Sequence, residues 1–219
     1  MKPLNTYIDH TVLKADATSS DVKTLCQEAR DHQFYAVCVN SCYVALCKEE
    51  LAGTDVAIAA VIGFPLGAAH TAAKAAETEI AVAEGATEID MVLAIGAMKE
   101  GRTDYVLEDI RAVVNAAGKG GAIVKVILET CLLTTEEIVD ACLLAKGAGA
   151  AFVKTSTGFS TAGATAEHVR LMKQTVGDTM KVKASGGIRD RAKAVEMIEA
   201  GADRIGASAS IAICAEDDN

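Results

Sequence analysis

The sequence predicts an α/β protein folded as one (β/α)₈ barrel, a TIM barrel, with residues 1–219 as a single domain. Three observations carry that expectation. Short apolar segments alternate with longer amphipathic ones along the chain, and there are eight of the short kind. Several of these are continuous apolar runs, as strands buried on both faces of a parallel sheet are. No Pro-, Gly- or Ser-rich linker divides the 219 residues, a length that fits one barrel.

The expected strands are 6–9 (TYID), 35–40 (YAVCVN), 57–64 (AIAAVIGF), 87–93 (TEIDMVL), 122–129 (AIVKVILE), 150–155 (AAFVKT), 180–186 (MKVKASG) and 203–208 (DRIGAS). Between them lie helical stretches. Residues 19–32 space their apolar side chains for one helical face. Residues 71–86 are Ala-rich and stop at a glycine, and 103–121 end in glycines as helix C-termini do. Residues 134–150 open with Thr134 and, three on, Glu137, the spacing of a capping box. Segments 165–177 and 190–202 complete the set. A doubly wound open sheet is the alternative. It usually shows G-x-G-x-x-G after its first strand, but here that turn reads DHTVLKADAT, without a glycine.

Hydrophobic residues make up 51% and charged residues 23%, which reads as globular rather than disordered. Aromatics are only 4%, so small and aliphatic side chains must build the core. Net charge is −9 with no run of Lys and Arg, which argues against a nucleic-acid partner. A small anionic substrate stays open, because local groups can outweigh global charge. The seven cysteines are odd in number and form no C-x-x-C. With no signal peptide and no apolar run of transmembrane length, we expect reduced thiols in a cytoplasmic protein without a membrane partner. His10, His32, His70 and His168 lack metal-ligand spacing, so no metal is expected. Cys42 and Cys47 are expected to pack on a helix. The acidic tail CAEDDN is expected to fray.

The chemistry is expected at the C-terminal ends of the strands. Asp90 lies in strand four, Lys125 in five, Lys154 at the end of six, and Lys181 and Lys183 in seven. One strand lysine can point outward and snorkel. Three on successive strands, with an acid one strand over, point to a shared interior cavity. Lys181 shares the face of Lys183 but sits at the strand start, and is read as structural. Clustered, desolvated lysines favour a neutral amine, the nucleophile that forms a Schiff base with a carbonyl. Asp90 beside a second lysine can then shuttle protons.

Three small-residue turns follow strands six to eight: STGFS, SGGIR and GASAS. Barrels often bind phosphate there through backbone N–H groups. Gly186, Gly187, Gly206 and Ser208 let backbone approach an anion, and Arg189 could add charge. The residues alone thus suggest a Schiff-base enzyme acting on a phosphorylated aldehyde or ketone. Ser160 is not in a nucleophile elbow.

The motifs YIDHTVLK, AVCVN, VIGFPLG, EIDMV, KVILETCLL, FVKTSTGF, KASGGIR and RIGAS occur in this order over about residues 6–211. Together they resemble the 2-deoxyribose-5-phosphate aldolase family of class I aldolases. The resemblance implies reversible cleavage of 2-deoxy-D-ribose 5-phosphate to D-glyceraldehyde 3-phosphate and acetaldehyde, without a metal or organic cofactor. It implies Lys154 as the Schiff-base lysine, Lys183 as the second lysine and Asp90 as proton donor and acceptor. Lys125 resembles a lysine close to Asp90. Asp9, Thr11 and Thr155 resemble substrate contacts, and Cys38 a pocket-lining cysteine. Gly158, Gly186, Gly187, Gly206 and Ser208 match the phosphate turns. A homodimer is a further expectation. The chain departs from some members at Phe159, where they have lysine, at Ala209, where they have serine, and in a tail without a terminal tyrosine. Two rivals remain: another Schiff-base barrel acting on ketose phosphates or keto acids, and a sugar-phosphate-binding barrel without turnover.

Overall fold

A computed structural model describes residues 2–215. Eight parallel strands close in chain order: β1 Ile8–Thr11, β2 Ala36–Asn40, β3 Ala57–Ile62, β4 Glu88–Val92, β5 Ile123–Ile127, β6 Phe152–Lys154, β7 Lys181–Ser185 and β8 Arg204–Ala207, which pairs back on β1. The (β/α)₈ expectation holds. The long helices also fall where periodicity put them: α1 Ser19–Asp31, α3 Thr71–Glu84, α5 Thr103–Gly118, α6 Thr135–Gly147, α7 Ala166–Val176 and α8 Arg191–Glu199. The Thr134–Glu137 capping box forms on α6, and Thr18 with Asp21 makes a second one on α1.

The helix expected around Cys47 is α2 Val44–Glu50, and two short helices, α4 Ile95–Lys99 and α9 Ser210–Cys214, escaped the periodicity reading. Each has too few turns for an apolar stripe to register. The first strand starts later than expected. Leu4–Tyr7 form a 3₁₀ turn instead, in which both the amide and the hydroxyl of Thr6 donate to the Pro3 carbonyl. Cys47 is buried on α2, but Cys42 is exposed in the 3₁₀ turn Ser41–Tyr43 rather than buried on a helix. The tail beyond residue 215 lies outside the described residues.

Alternation along the strands divides the molecule into a shell and a lumen. Outward-facing Val37, Ile58, Ile62, Ile89, Met91, Val126, Val153, Val182 and Ile205 pack under the helices in one apolar cluster. Each fully buried aliphatic side chain is worth about 1.5–3 kcal/mol over exposure, so this shell stabilises the barrel. One ion pair interrupts it. Lys74 of α3 meets Asp109 of α5 at 2.6 Å, both fully buried, and also donates to the Val92 carbonyl at the end of β4.

The inward faces differ. Between β1 and β3 a small apolar group gathers Leu13, Cys38, Ala59 and Val61 against Phe64. The rest of the inward face carries charged side chains beside apolar Val92, Ile127 and Phe152.

Candidate active site

Register brings the charged residues together. Asp90 pairs directly with Lys125 on β5, and Lys154 with Lys183 on β7. Lys183 in turn pairs with Arg204 on β8. All of these face inward, as do Asp9 on β1 and Glu88 on β4. Side-chain alternation therefore puts seven buried charged groups in the lumen; Lys181, on the same face as Lys183 at the start of β7, is exposed.

Six of them form a closed ring of alternating sign. Arg204 grips Asp9 through Nε at 2.8 Å and through Nη2. The other oxygen of Asp9 accepts from Lys183. Lys183 also donates to Asp90 Oδ2 at 2.8 Å, and Lys125 to Asp90 Oδ1 at 2.6 Å. Lys125 meets Glu88 at 2.5 Å, and Glu88 closes the ring on Arg204 at 3.0 and 3.2 Å. Below the ring, the Tyr35 aromatic face lies 3.5 Å from the Arg204 guanidinium. Three carboxylates balance three cations, and the ring is neutral.

Lys154 is the seventh group and stands outside the ring. It donates to Asp90 Oδ2 at 2.8 Å, the same oxygen that holds Lys183. It is 3% exposed and lines the cavity above. Lys125 and Lys183 are fully buried and do not snorkel.

Burial alone would raise the pKa of Asp9, but Lys183, Arg204 and Lys125 outweigh it and bring it to about 2. Asp90 is also buried, and its three lysines hold it well below the carboxylate range. Burial works against the ammonium of Lys183, but Asp9 and Asp90 reverse this and raise its pKa. Lys125 is raised against burial in the same way by Asp90, Glu88 and Asp9. Lys183 is therefore a fixed cation. Cys38 approaches Asp90 at 3.9 Å, and burial pushes its thiol up, away from the reactive thiolate.

The cavity at the C-terminal ends of the strands has a volume of about 480 Å³. Thr11, Gly158, Gly186, Gly187, Gly206 and Ser208 line it, together with Arg189 and Phe159. Asp9, Cys38, Lys125 and Thr155 are not among its lining residues. The first three lie inside the barrel. Thr155 is a strut, donating to the Ser185 carbonyl at 3.0 Å and accepting from the Ser185 amide at 3.1 Å. Two glycines owe their identity to close approach. A Cβ on Gly163 would lie 2.1 Å from the Gly186 carbonyl oxygen, so these turns touch backbone to backbone. A Cβ on Gly206 would lie 3.0 Å from both the Lys183 stem and the Ser185 Cβ, so Gly206 makes room for that lysine.

Sequence reasoning missed Glu88 and Arg204, whose strands were read for other residues; strand parity with Asp90 and Gly206 was the usable signal. It also missed Glu129, a buried acid with φ 57° that accepts from the Thr157 amide at 3.3 Å and from the Thr157 hydroxyl. Glu129 thereby fixes the turn after Lys154. His10 lines the cavity, but both its ring nitrogens are engaged, with Ser210 at 2.9 Å and Glu28 at 2.7 Å. Burial lowers its pKa even though Glu28 favours the imidazolium. Phe159 stacks edge-on against Phe64 at 5.2 Å, forming an apolar lip on the cavity.

No helix among the described residues is long and apolar enough to cross a membrane. Comparison with known proteins agrees with the geometry. The family model of the DeoC/LacD aldolases matches residues 4–216. The chain is 61% identical to a deoxyribose-phosphate aldolase of Alkaliphilus oremlandii, over 94% of this chain and 93% of that one. It is 59% identical to another from Clostridium novyi, over 96% and 94%. A solved deoxyribose phosphate aldolase from Aeropyrum pernix, described as a tetramer, superposes with a TM-score of 0.91 at 35% identity, covering 96% of this chain and 89% of that one. A charged barrel lumen opening on a glycine-lined cavity and a family match over nearly the whole length lead to one conclusion: the chain belongs to the DeoC/LacD aldolases, and it is a carbon–carbon lyase.

Proposed function

We propose that this aldolase reversibly cleaves 2-deoxy-D-ribose 5-phosphate to D-glyceraldehyde 3-phosphate and acetaldehyde through a Schiff base on Lys154. The observation that carries the reading is charge balance. The ring of six closes neutral without Lys154, so a proton on Lys154 would be the one buried charge left over in the lumen. Shedding it leaves a balanced interior and a free amine facing the cavity.

The neutral Nζ attacks the C1 carbonyl, and the carbinolamine loses water to give an iminium. A base removes the proton from the C3 hydroxyl. The C2–C3 bond breaks, its electron pair flows into the iminium as an enamine, and C3 leaves as an aldehyde. Protonation of C2 and hydrolysis release acetaldehyde and regenerate the amine. Asp90, the carboxylate nearest Lys154, is the proton carrier in this scheme, working through water. Lys183 is held as an ammonium by Asp9 and Asp90, and its charge beside Lys154 disfavours a second one. The turns bearing Gly158, Gly186, Gly187, Gly206 and Ser208 would receive the phosphate, with Arg189 supplying charge. The names of the curated relatives support the deoxyribose phosphate substrate. The free cysteines suit a reducing cytoplasm.

The test is to incubate the protein with acetaldehyde or the sugar phosphate, reduce with borohydride, and map the adduct by peptide mass spectrometry. A stable adduct on Lys154, absent from Lys154→Arg, is the expected result. An adduct on Lys125 or Lys183 would keep the reaction class and reassign the nucleophile. No adduct in a folded sample that binds phosphate would leave a binding barrel without turnover.

A further inference from the structure

Arg204 and Glu88 touch neither the cavity nor Lys154. They close the ring from below, where Arg204 hydrogen-bonds both Asp9 and Glu88; Lys125, 2.5 Å from Glu88, reaches Asp9 only at 3.9 Å. The mechanism above assigns them nothing. Two buried charges at the floor of a catalytic barrel are expensive unless paired, and paired ones seldom repay their desolvation. Apolar residues would fill the floor at less cost, so the ring has to be explained by what it does to the groups above it.

We propose that Arg204 and Glu88 are positioning residues that set the charge the lumen presents to Lys154. The proposal rests on Lys154 being the Schiff-base nucleophile. Arg204 acts through Asp9, which it holds at one oxygen while Lys183 takes the other. Glu88 acts through Lys125, which it shares with Asp90. The two residues thus enter the Asp90 cluster from opposite sides and with opposite charges. The charged and titratable groups facing this cluster are Asp9 on β1, Cys38 on β2, Lys125 on β5, Lys154 on β6, Lys183 on β7 and, beneath, Arg204 on β8 with Glu88 on β4.

Counting charges gives opposite predictions for the two positions. Without Arg204 the ring is left with one carboxylate in excess. A proton on Lys154 would then neutralise the lumen, and the amine is released only at higher pH. Without the Glu88 charge the ring already carries one excess cation, so Lys154 sheds its proton at lower pH. A unit charge several ångströms away, in the partly shielded interior of a protein, moves such an equilibrium by about one pH unit.

The experiment is the pH dependence of reductive trapping. Acetaldehyde and Lys154 condense to an imine with loss of water, and cyanoborohydride delivers hydride to the C=N bond, leaving an N-ethyl lysine that intact mass reports. Rates for Arg204→Met, Glu88→Gln and the double variant are divided by the wild-type rate at each pH. In Arg204→Met the acid limb should move up by about one unit, slowing trapping roughly tenfold on that limb. In Glu88→Gln it should move down by a similar amount. The double variant should return close to the wild-type limb, because it removes one charge of each sign. A merely structural role would slow trapping at every pH without moving the limb in opposite directions. Shifts of the same sign, or no shift in Glu88→Gln, would overturn the proposal. If Arg204→Met does not fold, Glu88→Gln, nearly isosteric, decides alone. A wild type that forms no adduct on Lys154 would defeat the nucleophile assignment instead, which is a separate result.

Discussion

The two faces of each strand do different work, and β4 shows it in five residues. Ile89 and Met91 point out into the apolar shell, while Glu88 and Asp90 point into the lumen. The shell gains from burial whatever its detailed partners. The lumen gains little from its ion pairs, because desolvation offsets most of their attraction, yet losing any one partner strands another charge. Stability is thus concentrated outside the strands and chemistry inside them. The chain can change its shell without touching the reaction, but it cannot change its lumen without touching both.

Substitutions can break that division. Asp90→Asn should lower kcat by about 10²–10⁴-fold and also destabilise the fold, since three lysines lose their shared carboxylate. Steady-state kinetics beside a denaturant melt would read both; a change confined to KM would make Asp90 a binding residue. Lys74→Met is the matching test in the shell. It strands Asp109 and should cost about 3–5 kcal/mol in a urea titration, with little change in activity per folded molecule. Pairing it with Asp109→Leu should recover much of the loss.

Acid titration gives a smaller and graded effect. The pKa of Asp9 falls from 3.8 to about 2 on folding. Its contribution is therefore complete above about pH 4 and is lost as pH falls towards 2, roughly 2 kcal/mol over that window. The raised pKa of Lys183 acts at the other end: its contribution is complete below its ordinary value of 10.5 and declines above it. Unfolding free energy measured against pH should show the acid step, and Asp9→Asn should remove it. Phe159→Ala should do least. It removes an edge-on contact with Phe64, worth about 0.5–1.5 kcal/mol, and widens the rim. Thermal melts should move little, while the range of accepted aldehydes broadens.

The sequence revealed much of this because strand and helix periods differ and because lysine is conspicuous in an apolar strand. Asp90, Lys125, Lys154 and Lys183 stood out for that reason, and parity on a closed barrel brought them together. Arg204 and Glu88 were hidden at strand starts, where charge is ordinary and only parity with Gly206 and Asp90 marks an inward position. Glu129 was hidden for another reason. Its left-handed backbone, which lets the acid reach back to Thr157, follows from the turn after β5 and has no signature in residue type. Thr155 is a substrate contact only by resemblance; its hydroxyl donates to the Ser185 carbonyl, a bond that residue type alone does not reveal.

The contact between Gly163 and Gly186 bears on how this protein can be re-engineered. With backbone against backbone, the turns after β6 and β7 move as a single part. Saturation libraries at either position should return glycine almost alone, and changes that shift one turn will drag the other. The freedom to alter substrate preference therefore lies at the rim, at Phe159, where a side chain can be exchanged without disturbing the seat beneath it.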